Sequence, residues 1–260
     1  MTKQQRPLHQ LVEIVDRLRG PDGCPWDQEQ TLKSMPPYLL EEVYELLEAM
    51  ETDGGEDGLE GELGDLLFVV LLITRIGTDM ERLTLDSVCS RIVDKMIERH
   101  PHVFGAGDTA ENPGGIAAWE ARKNKNGRSR LAGVPRALPA LLRAHRQGEK
   151  AAAVGFDWPD IEGVFAKVEE ELTELPEAVE SGDAAAIRHE YGDVLLAASS
   201  LGRHLQVPPE SSLRQANDRF ADRFSRLEAL AKEEGVELSG STDAQTLDRL
   251  WERVKQQVGT

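Results

Sequence analysis

Cysteine is scarce. Cys24 and Cys89 are the only two among 260 residues. They stand far apart and form no Cys-x-x-Cys spacing, so neither a disulfide framework nor a thiolate zinc site organises this chain, and two reduced packing thiols are expected. Positive charge is also short: 30 Lys and Arg face 47 Asp and Glu, a formal net charge of −17 at pH 7. Holding a nucleic-acid backbone or an anionic bilayer takes clustered cations, so neither nucleic acid nor a membrane is an expected partner. Long apolar runs are missing too. The longest, Leu66 to Ile73, has eight residues, where a spanning helix needs about 20. The opening MTKQQRPLHQ carries no apolar stretch of the kind a secretory signal has, and the expected location is the cytoplasm. Strict polar–apolar alternation is almost absent, as are runs rich in Val, Ile, Thr and Tyr, which argues against sheet.

What remains is helix. Hydrophobic residues make up 40% of the chain, enough for a core in each of one or two domains. They recur every three or four positions. The spacing predicts an all-α fold with helices near 7–19, 36–50, 59–77, 85–99, 115–123, 138–153, 160–180, 184–204, 211–234 and 243–258. The stretch KNKNGRSRLAG, Lys123 to Gly133, is basic, polar and without apolar period. It separates an N-terminal domain over 1–123 from a C-terminal domain over 135–260, with 124–134 as linker.

The two halves repeat each other. Glu41-Glu42-Val43-Tyr44-Glu45, Glu62-Leu63-Gly64-Asp65, the pair Lys95 and Arg99, and Trp119-Glu120-Ala121-Arg122-Lys123 follow in order in the first half. Glu170-Glu171-Leu172-Thr173-Glu174, Glu190-Tyr191-Gly192-Asp193, Arg219 with Arg223, and Trp251-Glu252-Arg253-Val254-Lys255 follow in the second. From Glu42 to Glu171 is 129 residues, from Glu62 to Glu190 128, from Lys95 to Arg219 124 and from Trp119 to Trp251 132. Shifts so nearly constant indicate a duplicated domain. Trp26-Asp27 precedes the first acidic helix, and Asp157-Trp158 the second.

On a helix, residues three apart share a face, so Glu42 with Glu45, Glu62 with Asp65, Glu171 with Glu174 and Glu190 with Asp193 each aim two carboxylates the same way. Glu42 lies beside the apolar stripe of its helix. The run LLFVVLLI after Asp65 predicts a helix buried on every side, with its acids on the opening turn. Two such helices side by side bring four carboxylates together, and these stay ionised only around a cation. All-oxygen ligation suits Mg²⁺, with Mn²⁺ as a possible substitute, and leaves positions for water and a substrate phosphate. Iron bundles use Glu-x-x-His, which neither repeat has. Isolated matches carry less: Glu233-Glu234-Gly235-Val236-Glu237 and Glu13-x-x-Asp16 read as solvated faces.

Lys95 with Arg99, and Arg219 with Arg223, stand one turn apart on helices whose other face is apolar. Such pairs supply local attraction for a polyphosphate in an acidic protein. Trp119 with Lys123, and Trp251 with Lys255, place an indole and an ammonium on one face, where a base stacks and a phosphate is reached. His100 and His102 bracket Pro101, which ends its helix, and serve a turn.

Together, CPWD at Cys24 to Asp27, the paired Glu-Glu-x-x-Glu and Glu-x-x-Asp motifs, GELGDLLF at Gly61 to Phe68 and RHPHVFG at Arg99 to Gly105 resemble the MazG family of nucleoside triphosphate pyrophosphohydrolases, over nearly the whole chain. The resemblance implies a tandem all-α homodimer that uses Mg²⁺ to cleave a nucleoside triphosphate to monophosphate and pyrophosphate, a nucleotide-pool housecleaning reaction. It implies Glu171, Glu174, Glu190 and Asp193 as metal ligands, with Arg219, Arg223, Trp251 and Lys255 around the nucleotide. The second repeat is expected to be the main catalytic unit; Glu42, Glu45, Glu62 and Asp65, with Lys95, Arg99, Trp119 and Lys123, hold the matching places in the first. Glu170 and Glu41, beside the ligand glutamates, are the candidate general bases. Two departures stand out: Pro176, which is expected to bend the second acidic helix, and Arg219 where the family usually has Lys. Other readings stay open: a nucleotide- or metal-binding module without turnover, and a narrower pyrophosphohydrolase acting on dUTP or phosphoribosyl-ATP.

Overall fold

The computed structural model describes residues 7–51, 58–104 and 129–258. Among these, every regular element is helical, in two compact units, Met1–Gly114 and Gly115–Thr260. The first holds α1 (Pro7–Leu18), α2 (Pro25–Glu29), α3 (Pro36–Glu51), α4 (Gly58–Asp79), α5 (Leu85–Arg99) and α6 (Pro101–Phe104). The second holds α7 (Ala140–Ala152), α8 (Ile161–Ser181), α9 (Ala184–His204), α10 (Pro209–Glu233) and α11 (Ala244–Val258). The expected helix at 115–123 and most of the expected linker lie outside the described residues.

Local chemistry sets the helix ends. Thr84 and Ser87 form a reciprocal cap on α5. Asp160 accepts the Gly163 N–H at 2.9 Å and Asp183 that of Ala185 at 2.8 Å, opening α8 and α9. Gly182, at φ +69°, closes α8 in the left-handed conformation, so α8 and α9 fold back on each other through a two-residue turn. Pro176 does not interrupt α8, which continues to Ser181. The proline, two residues after Glu174, removes only the donor to the Leu172 carbonyl.

In the first unit α4 is central, packed by α3 and α1 around Val15, Met35, Val69, Leu71, Leu72 and Ile76. Each such side chain contributes about 1.5–3 kcal/mol by leaving water. Contrary to the expectation of burial on every side, α4 exposes Leu63, Leu67 and Val70 to 48, 41 and 43%. The cause is a missing neighbour: α1, α3 and α5 cover one side of the helix, and nothing among the described residues covers the other. Helix α5 likewise buries no residue and presents Val88 and Ile92 outward.

In the second unit α9 packs against α8 and α7, and α10 pairs with α11 around Leu227, Leu230, Ala231, Leu250 and Val254. Glu210 of α10 accepts the Leu142 N–H at 3.2 Å, satisfying a donor in the first turn of α7. The α7–α8 loop is fixed by Asp157. Arg203 donates to both its carboxylate oxygens, and His204 Nε2 lies 3.0 Å from one of them. The Arg203 hydrogen bonds hold the Asp157 carboxyl down at about 2, against the upward pull of burial.

A depressed carboxylate stabilises the fold above its ordinary pKa of 3.8, and that contribution disappears as the pH falls toward 2. Asp157→Asn is therefore expected to lose on the order of 1 kcal/mol at neutral pH, after solvent screening. The gap to wild type should close on acidification from pH 4 toward 2, as read by thermal melts; a gap independent of pH would contradict it.

Candidate active site

The acidic motifs fold onto paired helices. Helix α3 carries Glu41, Glu42 and Glu45, and α4 carries Glu62 and Asp65; α8 carries Glu170, Glu171 and Glu174, and α9 carries Glu190 and Asp193. In the first unit Glu42, Glu62 and Asp65 converge, with ligand atoms all within 4.8 Å of one another. Glu45 is outside this group. In the second unit Glu171, Glu174 and Glu190 form one such group, and His189, Glu190 and Asp193 another, so all four acids participate and Glu190 is shared.

Both sets bear the electrostatic mark of crowding. The Glu42 carboxyl is raised, first by burial and then by Glu45, Asp65, Glu41 and Glu62. Glu174 is raised by burial and by Glu171, Glu170 and Glu190, with Lys167 opposing. Glu171 is 4% exposed, and a carboxylate so buried needs a partner. The Lys167 ammonium provides one, 2.7 Å from Glu171 and 3.0 Å from Glu170, and its pKa is raised chiefly by the hydrogen bond to Glu171. His189 Nδ1 stands 2.5 Å from Asp193. Sequence reasoning did not single out Lys167 or His189. Each lies four residues before an acid, and an i,i+4 scan of the motif helices finds both.

The donor chemistry fits a divalent cation. Carboxylate oxygens within 4.8 Å of one another lie close enough to bind one ion at the usual 2.0–2.6 Å. The second unit adds an imidazole, a donor that transition ions such as Mn²⁺ accept more readily than Mg²⁺ does.

A cavity of about 520 Å³ has Lys167, Glu171 and Asp193 in its wall, together with residues of α7, α9 and the Gly155–Trp158 loop. Arg219, Arg223, Trp251 and Lys255 are not in that wall. Trp251 packs on Phe220, ring centres 5.6 Å apart, beside the α10–α11 core, and Lys255 pairs with Glu252. In the first unit Lys95 and Arg99 lie on α5, which packs on α4. Trp119 and Lys123 fall outside the described residues. His100 caps α5, its Nδ1 2.8 Å from the Met96 carbonyl oxygen, just before Pro101 opens α6.

Fold and site together define an all-α protein with a duplicated carboxylate centre suited to a hard cation and a phosphate. The model of the MazG nucleotide pyrophosphohydrolase domain matches residues 30–104 and 160–226, the two segments that hold the acids. The nucleoside triphosphate pyrophosphohydrolase/pyrophosphatase MazG of Thermotoga maritima is 41% identical over 253 residues, 95% of this chain and 95% of its own length. The nucleoside triphosphate pyrophosphohydrolase of Escherichia coli K12 is 40% identical, over 96% of this chain and 97% of its own. That of Mycobacterium tuberculosis is 38% identical over 57% of this chain and 46% of its own. The chain belongs to the MazG family.

Removing Lys167 tests its place. In Lys167→Ala, Glu171 stays buried beside two other carboxylates without its cation. The variant is expected to melt below wild type in EDTA, and Mn²⁺ is expected to narrow the difference. Equal melting temperatures in EDTA would show that Glu171 does not need the ammonium.

Proposed function

We propose that this chain hydrolyses nucleoside triphosphates to the monophosphate and pyrophosphate with a divalent cation, Mg²⁺ or Mn²⁺, and that its second unit is the principal site. The observation that carries the proposal is the convergence of carboxylates from two helices in each unit, inside the segments that match a pyrophosphohydrolase family.

When bound, the cation polarises the phosphoanhydride and neutralises charge on the departing pyrophosphate. Glu171, Glu174, Glu190 and Asp193 would hold it in the second unit, and Glu42, Glu62 and Asp65, with Glu45 adjacent, in the first. Lys167 pairs with Glu171 and holds it in place, and stands where a triphosphate oxygen arrives. Glu170 lies on the outer side of Lys167, half exposed, where it can take a proton from the attacking water; Glu41 has that place in the first unit.

The proposal includes a homodimer. Leu63 and Leu67 of α4 have counterparts in Tyr191 and Leu195 of α9, 128 residues on, and all four are exposed. Gly64 of α4 and Gly192 of α9 are exposed as well, and a side chain at either would meet nothing within 4 Å. An interior helical glycine loses roughly 1 kcal/mol against alanine, and a second chain approaching closely gives it a purpose. Sedimentation should give twice the chain mass at micromolar concentration, and a monomer would remove this part of the proposal.

The activity is tested by pyrophosphate release from each common triphosphate with Mg²⁺ or Mn²⁺. Glu171→Gln and Glu190→Gln should each lower release by about 10²-fold or more, with helicity and melting cooperativity kept. If both retain wild-type turnover when Glu42 and Glu62 are also changed to Gln, the carboxylate site is not where the reaction happens. Nucleotide binding without release by the wild type would make the chain a binding module.

A further inference from the structure

The carboxylate centre of the second unit has a donor that its motif does not contain. In both units the motif positions, Glu-x-x-Glu and Glu-x-x-Asp, offer oxygen alone. His189 stands one residue before Glu190 and four before Asp193, which puts it on the aspartate's face of α9. One of its ring nitrogens lies within 4.8 Å of ligand oxygens of both Glu190 and Asp193, and Nδ1 is 2.5 Å from Asp193. Three donors of two chemical kinds meet over about one turn of helix.

Stability gives little reason for this contact. The His189 side chain is 72% exposed, and a pair so open to water contributes little to folding. The first unit supplies the comparison. Its matching position is Gly61, and Glu42, Glu62 and Asp65 converge there with no nitrogen among them. One chain thus carries an oxygen-only centre and a mixed nitrogen–oxygen centre, each on a pair of successive helices.

We propose that His189 is a ligand of the second unit's cation and that through it this unit selects a transition ion such as Mn²⁺ over Mg²⁺, a preference the first unit lacks. The proposal rests on the reading above that the acids hold a divalent cation. Imidazole suits transition ions, whereas Mg²⁺ favours oxygen ligands and keeps several waters. Exchanging a bound water for a ring nitrogen therefore gains much for Mn²⁺ and little for Mg²⁺. Glu190 belongs to both groups of three donors in this unit, so it connects the nitrogen to Glu171 and Glu174 on one side and to Asp193 on the other. His189 and Asp193 must part slightly to admit an ion between them. An exposed ring does so at small cost.

The test is Mn²⁺ binding to the full chain without nucleotide, in wild type and in a Glu42→Gln, Glu62→Gln background that silences the first unit. Electron spin echo modulation of the bound Mn²⁺ should show a directly coordinated nitrogen. Its frequencies should change when histidine is labelled with nitrogen-15, and the signal should vanish in His189→Ala. The same replacement should weaken Mn²⁺ binding by about tenfold or more, and Mg²⁺ binding, read by competition, by less than about twofold. With Glu171→Gln and Glu190→Gln instead, the first unit should bind Mn²⁺ without a nitrogen signal. The labelled wild type reports imidazole ligation even if a variant does not fold. No coordinated nitrogen, or one that persists in His189→Ala, overturns the assignment. Tighter Mn²⁺ binding by His189→Ala overturns it too, since the histidine would then compete with the cation for Asp193. Pyrophosphate release by a wild type that shows no coordinated nitrogen leaves the pyrophosphohydrolase reading standing and removes this ligand alone, whereas a wild type that binds neither Mn²⁺ nor Mg²⁺ removes both.

Discussion

Repulsion between like charges is the constraint from which the rest of this structure follows. Packing α3 on α4 and α8 on α9 buries apolar faces, and the same packing forces acids from both helices to within 4.8 Å of one another. Such an arrangement works against the fold that creates it, because carboxylates at that distance either take up protons or require a cation. The carboxyls of Glu42 and Glu174 are raised by burial first and by the neighbouring acids after it. A chain selected for stability alone has no reason to gather acids this way twice. One that must hold a hard cation against a triphosphate does, since groups that repel each other in its absence bind it more tightly.

Much of this was legible in the sequence because helical periodicity is a local property. The long helices were readable within about two residues at most ends, from Pro7–Leu18 to Ala244–Val258, because apolar spacing and caps lie within the segment itself. The short helices Pro25–Glu29 and Pro101–Phe104 were not readable as separate elements, since five and four residues are too few for a period to show. The acidic pairs were legible for the same local reason. So was their convergence, because each repeat carries one pair on each of two successive helices.

What the sequence could not supply was long-range. An apolar run states that a surface avoids water without stating what covers it, so α4 read as buried all round although one side has no neighbour among the described residues. Arg219 and Arg223 share a face of α10, but the direction of that face depends on how α10 crosses α7, α9 and α11. Periodicity carries no information about crossing. The cavity was likewise invisible, because its walls come from α7, a loop, α8 and α9, separated by more than 40 residues of sequence between Ala151 and Leu196.

The two units share one geometry and differ in how they bear its charge. Four residues before Glu171 stands Lys167, and four before Asp193 stands His189. The matching positions before Glu42 and Asp65 are Tyr38, whose ring packs edge-on against Trp26 at 5.2 Å, and Gly61. The second unit therefore has a cation of its own paired with a buried carboxylate, and it has a nitrogen donor besides. In the first unit these two positions offer neither. An ammonium that already neutralises Glu171 can transfer its attraction to a phosphate once a divalent cation takes over the carboxylate, so little reorganisation accompanies substrate binding. That difference in preorganisation is a physical reason to place the principal activity in the second unit, and it acts through a lysine that lies outside the carboxylate motif itself.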